Sequence, residues 1–241
     1  MKKLIVCDFD GTLYINKDER RLSSLISDIK SLPEEYVFAV ASGRPYHLLK
    51  PYFKDCPDFY IISNDGALIT KNDYILYENP IDKNLLLDIC KDRSWCCYGE
   101  CISYIYAADR AIDVKWRKMF SNHAVACDDI LSIKENIYKI FFEERTDEVS
   151  GLKKCYDSYG VSEFVSEDTN KGKALLFLAE TLGISVRDII VFGDGENDIP
   201  MFNVAGRSYA HENAPIGVKK SADYIFLNKD LEKFFREDIR I

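Results

Sequence analysis

The stretch Leu4-Ile5-Val6-Cys7-Asp8-Phe9-Asp10-Gly11-Thr12-Leu13 places two carboxylates directly behind a short apolar run. The run predicts a buried β-strand, and residues two apart on a strand point to the same side. Asp8 and Asp10 would therefore crowd like charges together, which is unfavourable unless a cation or a shared proton relieves the repulsion. A single Asp before Gly would fit an ordinary turn, but a pair behind a buried strand predicts a chemical site.

A second acidic cluster follows another apolar run, residues 189–192, and reads Gly193-Asp194-Gly195-Glu196-Asn197-Asp198. Continuous apolar runs are typical of parallel strands buried on both faces, and open α/β sheets bind their ligands at the carboxyl ends of such strands. Asp194 and Asp198 come to one side if a helix begins near Asn197. The two clusters together predict one oxygen-rich site for a hard cation, and Mg²⁺ fits it best.

Two further segments are typical of anion binding. Ser42-Gly43-Arg44-Pro45 follows the predicted strand 36–41 and opens a helix, whose first turn offers a hydroxyl and backbone amides. Lys171 begins an apolar-periodic helix that Gly183 ends, although the helix dipole disfavours a cation there. Each signal is weak alone, since helix caps and solvated lysines are common. Together with the acidic clusters they predict a phosphate site.

These four segments, in this order, resemble the motifs of the haloacid-dehalogenase-like (HAD) hydrolase superfamily. The finer resemblance is to the Cof-type phosphatases. It rests on Asn64-Asp65-Gly66-Ala67, on Met201, and on Asn213-Ala214 with the Lys219-Lys220 and Ala222-Asp223 pairs that follow. Asp65 departs from the pattern of these relatives, which often lack it. The resemblance implies an α/β fold, namely a doubly wound parallel-sheet (Rossmann-like) core with an inserted α/β cap domain.

The resemblance also implies a chemistry: Mg²⁺-dependent hydrolysis of phosphomonoesters through an aspartyl-phosphate intermediate. In it, Asp8 is the nucleophile and Asp10 the general acid and base. The groups implied to hold the phosphoryl oxygens are Ser42, the Gly43 amide, Lys171 and Asn197. The groups implied to hold the metal are Asp8, the Asp10 carbonyl and Asp194, with Asp198 as a ligand or as a partner of the ligands. For Arg44, contact with the cap or with the phosphate stays open, and a structural role is favoured.

The predicted substrate is a small phosphorylated metabolite, with sugar phosphates as the leading class by resemblance. A sugar phosphomutase and a non-catalytic phosphate-binding protein are the alternatives. A receiver-type phosphate sensor is a single domain of roughly half this length, and an inactive relative should lack a motif carboxylate, so the intact acidic clusters weigh against the second alternative. The first stays open at this stage.

The predicted core comprises residues 1–79 and 167–241, and the predicted cap comprises residues 80–166. The core prediction begins with strand 3–9, helix 20–31, strand 36–41, helix 45–53 and strand 59–62, followed by a hairpin across Lys71-Asn72-Asp73. In the cap, helices are predicted at 82–92 and 146–158, and strands at 95–99, 102–107, 111–114, 137–143 and 161–165. The cap aromatics predicted to form its own core are Trp95, Tyr98, Tyr104, Tyr106, Trp116 and Phe120. Trp116, Arg117 and His123 lie in a polar stretch and are candidates to face the substrate.

Composition narrows the class of protein. The chain has 241 residues and a net charge of −8 without a basic run, which argues against nucleic-acid binding. No apolar stretch reaches the roughly 18 residues of a membrane span, and the apolar run behind Met1-Lys2-Lys3 is too short for a signal peptide. We therefore expect a cytoplasmic monomer or weak homodimer. The eight cysteines are expected to be reduced and buried, because Cys97 and Cys101 have no second ligand pair for zinc.

Overall fold

The structure is a computed structural model that describes residues 2–91, 93–107, 109–119, 124–143, 146, 148–158 and 161–237. Its strands form two sheets, one of eight strands and one of six. The first part of the chain builds five strands of the larger sheet and two helices. In chain order these are β1 (Lys3–Asp8), α1 (Glu19–Lys30), β2 (Tyr36–Ala41), α2 (Tyr46–Phe53), β3 (Tyr60–Ser63), β4 (Leu68–Lys71) and β5 (Tyr74–Glu78), with a 3₁₀ turn at Asn64–Gly66 between β3 and β4.

The middle of the chain forms the whole of the six-stranded sheet. Its elements are β6 (Trp95–Tyr98), β7 (Ser103–Tyr106), α3 (Arg110–Met119), β8 (Ala124–Ala126), β9 (Lys139–Phe142), β10 (Leu152–Ser158) and β11 (Val161–Ser166), with 3₁₀ turns at Lys83–Leu86 and Ile130–Ser132. The strand order is β10-β11-β9-β6-β7-β8. The pairs are antiparallel except for β7 with β8.

The last part of the chain returns to the larger sheet. It forms α4 (Lys171–Leu182), β12 (Ile189–Gly193), α5 (Ile199–Phe202), β13 (Arg207–His211), α6 (Ile216–Ser221), β14 (Tyr224–Phe226) and α7 (Asn228–Arg236), with 3₁₀ turns at Val186–Asp188 and Glu196–Asp198. The Asn170 side chain caps α4 by accepting from the Lys173 amide, and Gly183 ends the helix in the left-handed conformation at φ 65°. None of the helices in the described part of the chain is long and apolar enough to cross a membrane.

The larger sheet has the order β14-β13-β12-β1-β2-β3-β4-β5. Strands β14 to β3 pair in parallel, whereas β4 pairs antiparallel with both β3 and β5. Alternate residues of β1 pack to opposite faces: Ile5 and Cys7 pack beside α1, α2 and α7, whereas Leu4 and Val6 pack beside α4, α5 and α6. Helices therefore cover both faces of the sheet, and the predicted doubly wound α/β core with an added cap is confirmed.

Three element predictions in the middle of the chain are wrong. The helix predicted at 82–92 is reduced to the 3₁₀ turn Lys83–Leu86, and the strand predicted at 111–114 lies inside α3. The helix predicted at 146–158 gives way to β10, which pairs with β11 across a bulge near Lys154. Strand β10 lies at the edge of its sheet, and its pairing with β11 overrides the local helical pattern.

The chain passes between the two sheets twice, and the two passages lie side by side. Asn79, which follows β5, donates its side-chain amide to the Thr169 hydroxyl over 2.9 Å, and Thr169 precedes α4. These positions lie close to the predicted domain boundaries at 79/80 and 166/167, which stay predictions.

Candidate active site

Four neighbouring parallel strands end at one edge of the larger sheet and bring the predicted site residues together. Asp8 is the last residue of β1, Ser42 follows β2, Asn64 follows β3, and Asp194 follows β12. Because β12, β1, β2 and β3 are adjacent and parallel, segments separated by up to 186 positions in the chain meet at one place. This edge is where open α/β sheets bind ligands.

The turn after β1 is built around a glycine. Gly11 has φ 86°, a conformation that side chains disfavour, and a Cβ at this position would overlap the Asp194 carboxylate. The neighbouring Thr12 hydroxyl donates to Asp194 Oδ1 over 3.1 Å. The turn therefore holds the β12 carboxylate against the end of β1.

Lys171 joins the two acidic clusters. Its Nζ lies 2.6 Å from Asp8 Oδ1 and 2.6 Å from Asp198 Oδ1, and its side chain is fully buried. Burial lowers the pKa of an ammonium, but Asp198 and Asp8 outweigh burial and raise the pKa of Lys171. Two carboxylates thus hold Lys171 at the start of its helix, where the helix dipole alone would disfavour a cation.

Asp8 is the most perturbed carboxylate of the site. Burial is the largest cause and raises its pKa well above the ordinary value, Lys171 opposes that rise, and Asp198 and Asp194 add to it. A nucleophilic carboxylate must be ionised. The Lys171 ammonium is therefore the group of this chain that favours the reactive form of Asp8.

Asp198 accepts hydrogen bonds from the backbone of its own loop and from Lys171. Its Oδ2 accepts hydrogen bonds from the Asp194 and Gly195 amides, each over 2.9 Å, while Oδ1 accepts from Lys171. The Asp198 side chain is completely buried. The loop after β12 is in this way tied to the N-terminus of α4.

A cluster of three carboxylates suits a divalent cation. One oxygen each of Asp8, Asp194 and Asp198 lies within 4.8 Å of the others. Lys171 offsets only one of the three negative charges, and burial together with Asp198 raises the pKa of Asp194. A hard cation with oxygen ligands would relieve this surplus of negative charge. The residues present therefore fit Mg²⁺.

Asp10 lies outside this cluster and is held by Arg44. The guanidinium Nε and Nη2 of Arg44 donate to the two oxygens of Asp10 over 2.7 and 2.6 Å. The same guanidinium lies over the Phe9 ring, 5.1 Å from its centroid, and over the Tyr14 ring at 5.9 Å. Arg44 thus orients the predicted acid–base residue, a contact that the sequence does not predict.

Ser42 and Gly43 form the predicted phosphate loop at the start of α2. The buried Ser42 hydroxyl oxygen accepts from the Arg44 amide over 3.1 Å. A Cβ on Gly43 would lie 3.1 Å from Asp65 Oδ1 and 3.4 Å from Lys139 Nζ, so a side chain there would crowd both groups. Gly43 therefore lets a charged pair approach the loop closely.

That charged pair was not found from the sequence. Lys139 of β9 pairs with Asp65, which follows β3, and with Glu163 of β11 over 3.2 Å. Burial would raise the pKa of Asp65, but Lys139 and Lys171 lower it to about 2. Asn197, predicted to bind phosphate, donates to Asp65 Oδ1 over 2.8 Å. Asp65, the departure from the family pattern, connects the core to the six-stranded sheet.

Most of these groups line one cavity of about 590 Å³. Lys171 is fully buried and does not line it, but it bonds to Asp8 and Asp198, which do. The core contributes Asp8, Asp10, Ser42, Gly43, Arg44, Asp65 and residues 194–198, and the six-stranded sheet contributes Tyr98, Lys139, Phe141, Cys155 and Glu163. Of the predicted substrate-facing residues, Trp116 is instead fully buried inside the six-stranded part, and Arg117 pairs with Asp113 over 2.8 Å. His123 and Phe120 lie outside the described residues. All eight cysteines are free thiols, and five are buried.

The chain belongs to the haloacid dehalogenase-like hydrolase family, whose model matches residues 5–232. A protein of Buchnera aphidicola subsp. Schizaphis graminum that is named as a phosphatase is 28% identical over 273 residues, and the match covers 97% of this chain and 97% of its own. A phosphoglycolate phosphatase of Methanobrevibacter smithii is 24% identical over 233 residues, covering 93% of this chain and 92% of its own. Family and relatives identify the protein as a phosphatase.

Solved structures show the same fold over the whole chain. The HAD subclass IIB sugar phosphatase BT4131 superposes with a TM-score of 0.78 at 19% identity, covering 99% of this chain and 100% of its own. A haloacid dehalogenase-like hydrolase from Bacteroides thetaiotaomicron superposes with a TM-score of 0.81 at 24% identity, covering 100% and 99%. The capped architecture is thus that of the Cof-type HAD hydrolases.

Proposed function

We propose that this phosphatase is a Mg²⁺-dependent phosphomonoesterase that hydrolyses small phosphorylated metabolites, with sugar phosphates as the leading class. The observation that carries the proposal is the buried Asp8–Lys171–Asp198 group beside Asp194, at the strand ends and beneath the six-stranded sheet. A carboxylate that is buried, paired with an ammonium and open to a cavity suits nucleophilic attack on phosphorus.

In the first step, an Asp8 oxygen bonds to phosphorus and the ester oxygen leaves with the electron pair of its P–O bond. Asp10 gives a proton to that oxygen and later takes one from the water that attacks the aspartyl-phosphate. Arg44 keeps Asp10 near the cavity through its two hydrogen bonds. Acid and nucleophile are thus held by different cations, Asp10 by Arg44 and Asp8 by Lys171.

Lys171 supplies a further element of the mechanism. An ammonium has three donors, and among the described residues two of them are directed to Asp8 and Asp198. The third would meet a phosphoryl oxygen, together with the Ser42 hydroxyl, the Gly43 amide and the Asn197 side chain. Asp8, the Asp10 carbonyl and Asp194, with Asp198 as ligand or supporting group, would hold Mg²⁺, which when bound neutralises phosphate charge.

The cavity and the relatives support the proposed substrate class. A volume of about 590 Å³ is within the range of small-ligand sites. BT4131 is described as a sugar phosphatase and the M. smithii relative as a phosphoglycolate phosphatase. Residues 80–166, as the cap, would exclude water in the first step and contact the leaving group. No observation favours a mutase over a hydrolase.

A phosphate-release screen tests the proposal. The chain should release phosphate from p-nitrophenyl phosphate and from several hexose or pentose phosphates, and only slowly from phosphopeptides. EDTA should abolish release and added Mg²⁺ should restore it. Full activity after exhaustive chelation would refute the metal requirement. Phosphopeptides as the best substrates by kcat/KM would refute the assigned class, and conversion of one sugar phosphate into its isomer without phosphate release would establish the mutase.

A further inference from the structure

One face of the six-stranded sheet looks into the cavity, and its residues come from four strands. Lys139 and Phe141 lie two apart on β9, Tyr98 of β6 stands opposite Lys139, and Glu163 of β11 stands opposite Phe141. Alternate residues of a strand share a face, and Cys155 of β10 completes the set that lines the cavity. We call Tyr98, Lys139, Phe141 and Glu163 the cap face.

Lys139 has no donor left for a substrate. Its Nζ lies 3.0 Å from the Gly43 carbonyl oxygen and 3.2 Å from Glu163 Oε2, and it also pairs with Asp65. Three acceptors saturate the three N–H groups of an ammonium. Its side chain is only 3% exposed. Lys139 is therefore a structural cation of the cap–core contact and does not bind anionic groups in the cavity.

The group formed by Asp65, Lys139 and Glu163 has a surplus of negative charge, and Glu163 presents that charge to the cavity. Asp65 and Glu163 carry two negative charges against the single positive charge of Lys139. Glu163 is the more accessible carboxylate, with its side chain 17% exposed against 8% for Asp65. Asp65 also accepts from Asn197, whereas among the described residues Glu163 bonds to Lys139 alone, through Oε2. Its other oxygen remains an acceptor for a ligand.

The rest of the cap face is aromatic. The Tyr98 and Phe141 rings meet edge to face, with centroids 4.7 Å apart, and both line the cavity. A ring wall beside one carboxylate acceptor matches a leaving group that has C–H surfaces and hydroxyl donors. The Glu163 carboxylate would repel a carboxylate on the leaving group, because the two carry like charge. The repulsion is strong since the site is partly desolvated.

We propose that Glu163 is the specificity residue of this site: it accepts a hydroxyl of a neutral, polyhydroxylated leaving group and excludes leaving groups that carry a carboxylate. The inference rests on the proposed function and adds to it the residue and the sign of the selection. It separates the two substrate types that the relatives' names suggest, because 2-phosphoglycolate carries a carboxylate and a hexose phosphate does not.

The test compares kcat/KM for 2-phosphoglycolate and for the best of a panel of hexose and pentose phosphates, with p-nitrophenyl phosphate as a common reference. The wild-type protein should favour the sugar phosphate by about 100-fold or more. Glu163→Gln removes the charge and keeps an oxygen acceptor, so it should raise kcat/KM for 2-phosphoglycolate by about 10-fold and change that for the sugar phosphate by less than about 3-fold. Glu163→Ala should lower sugar-phosphate kcat/KM by about 10-fold, mainly through KM.

Glu143→Gln is the matched control, since Glu143 follows β9, pairs with Lys115 over 2.7 Å and does not line the cavity. It should leave the ratio of the two substrates unchanged. An equal ratio in the wild-type protein and in Glu163→Gln, with p-nitrophenyl phosphate hydrolysed normally, would overturn this inference and leave the proposed function intact. Absence of p-nitrophenyl phosphate hydrolysis in the wild-type protein with Mg²⁺ would overturn the proposed function and the inference with it.

Discussion

Among the described residues two lysines are buried beside carboxylates, Lys171 in the core and Lys139 in the cap, and they differ in the number of N–H groups left without an acceptor. Lys171 directs two hydrogen bonds to Asp8 and Asp198 in the described part of the chain, whereas Lys139 directs three, to Asp65, Glu163 and the Gly43 carbonyl. Burial and charge pairing are alike. We predict that the number of donors left for a ligand separates a chemical lysine, Lys171, from a structural one, Lys139.

The largest effect is expected at the carboxylate beside the chemical lysine. Asp8→Asn should lower kcat by about 10⁴-fold or more, because an amide oxygen does not attack phosphorus. Burial disfavours the charged form of Asp8 and raises its pKa, so the variant should remain folded. Steady-state kinetics with p-nitrophenyl phosphate and a urea titration measure the two quantities. Ordinary turnover by this variant would refute Asp8 as the nucleophile.

Lys171→Met tests the donor count directly. It should reduce kcat/KM by about 10²–10³-fold, the usual cost of removing a donor that stabilises a phosphoryl or oxyanion transition state. Lys173→Met, on the same helix, removes an exposed ammonium that pairs with Asp168 over 2.6 Å and should have no effect on kcat/KM. Equal kinetics in the two variants would contradict the role of Lys171.

Lys139→Met is expected to lower stability and to leave turnover nearly unchanged. Removing one partner of a buried ion group leaves Asp65 and Glu163 unpaired, so the free energy of unfolding should fall by about 3 kcal/mol. The kcat for p-nitrophenyl phosphate, which barely engages the cap face, should change by less than about 3-fold. Urea unfolding and steady-state kinetics are the measurements. A loss of kcat as large as that of Lys171→Met would erase the distinction between the two lysines.

Arg44→Lys should have a smaller effect on chemistry. Lysine keeps the charge but loses the two-pronged contact with Asp10 and the stacking on Phe9. We expect kcat to fall by about 10-fold for alkyl phosphates and by less for p-nitrophenyl phosphate, whose leaving group needs little help from an acid. Equal losses for both substrates would show that Arg44 does not act through Asp10.

The smallest effect concerns the pH dependence of stability. The pKa of Asp65 is lowered from 3.8 to about 2, so its carboxylate stabilises the folded protein above pH 3.8 and this contribution is lost as the pH falls towards 2. Between pH 6 and pH 3 the wild-type protein should lose about 1 kcal/mol more than Asp65→Asn. Urea titrations of both proteins at the two pH values measure the difference. Parallel losses would show that Asp65 titrates normally.

The elements of the core were predictable, and those of the cap were less so. Strands β1 and β2 contain continuous apolar runs that pack on both faces of the sheet, so the local pattern and the tertiary environment agree. The segment 111–114 contains the β-branched Ile112 and Val114 and was expected to be a strand, but α3 places Ile112 and the buried Trp116 four apart on the face that packs on the cap sheet. Tertiary packing decided that case.

The site shows the same division. Asp8, Ser42, Lys171 and Asp194 each lie beside a turn or helix start with a local signal, and the structure brings them together as expected. Arg44 was identified but not its contact with Asp10, since that contact depends on the direction of two side chains from different loops. Lys139 and Glu163 carry no local signal, because their meeting depends on the register of β9 with β11.

Local patterns are enough to predict the catalytic end of this protein. Two acidic motifs and a serine–glycine turn follow buried parallel strands, which carry them to one edge of the sheet, and a lysine stands at a helix start against the dipole. The proposed selective end depends on the tertiary structure instead. The cap face is formed by alternate residues of strands that pair across long stretches of chain, and Asp65 reaches it from the core. Strand register and the saturation of one ammonium are properties of packed neighbours, which no local pattern encodes.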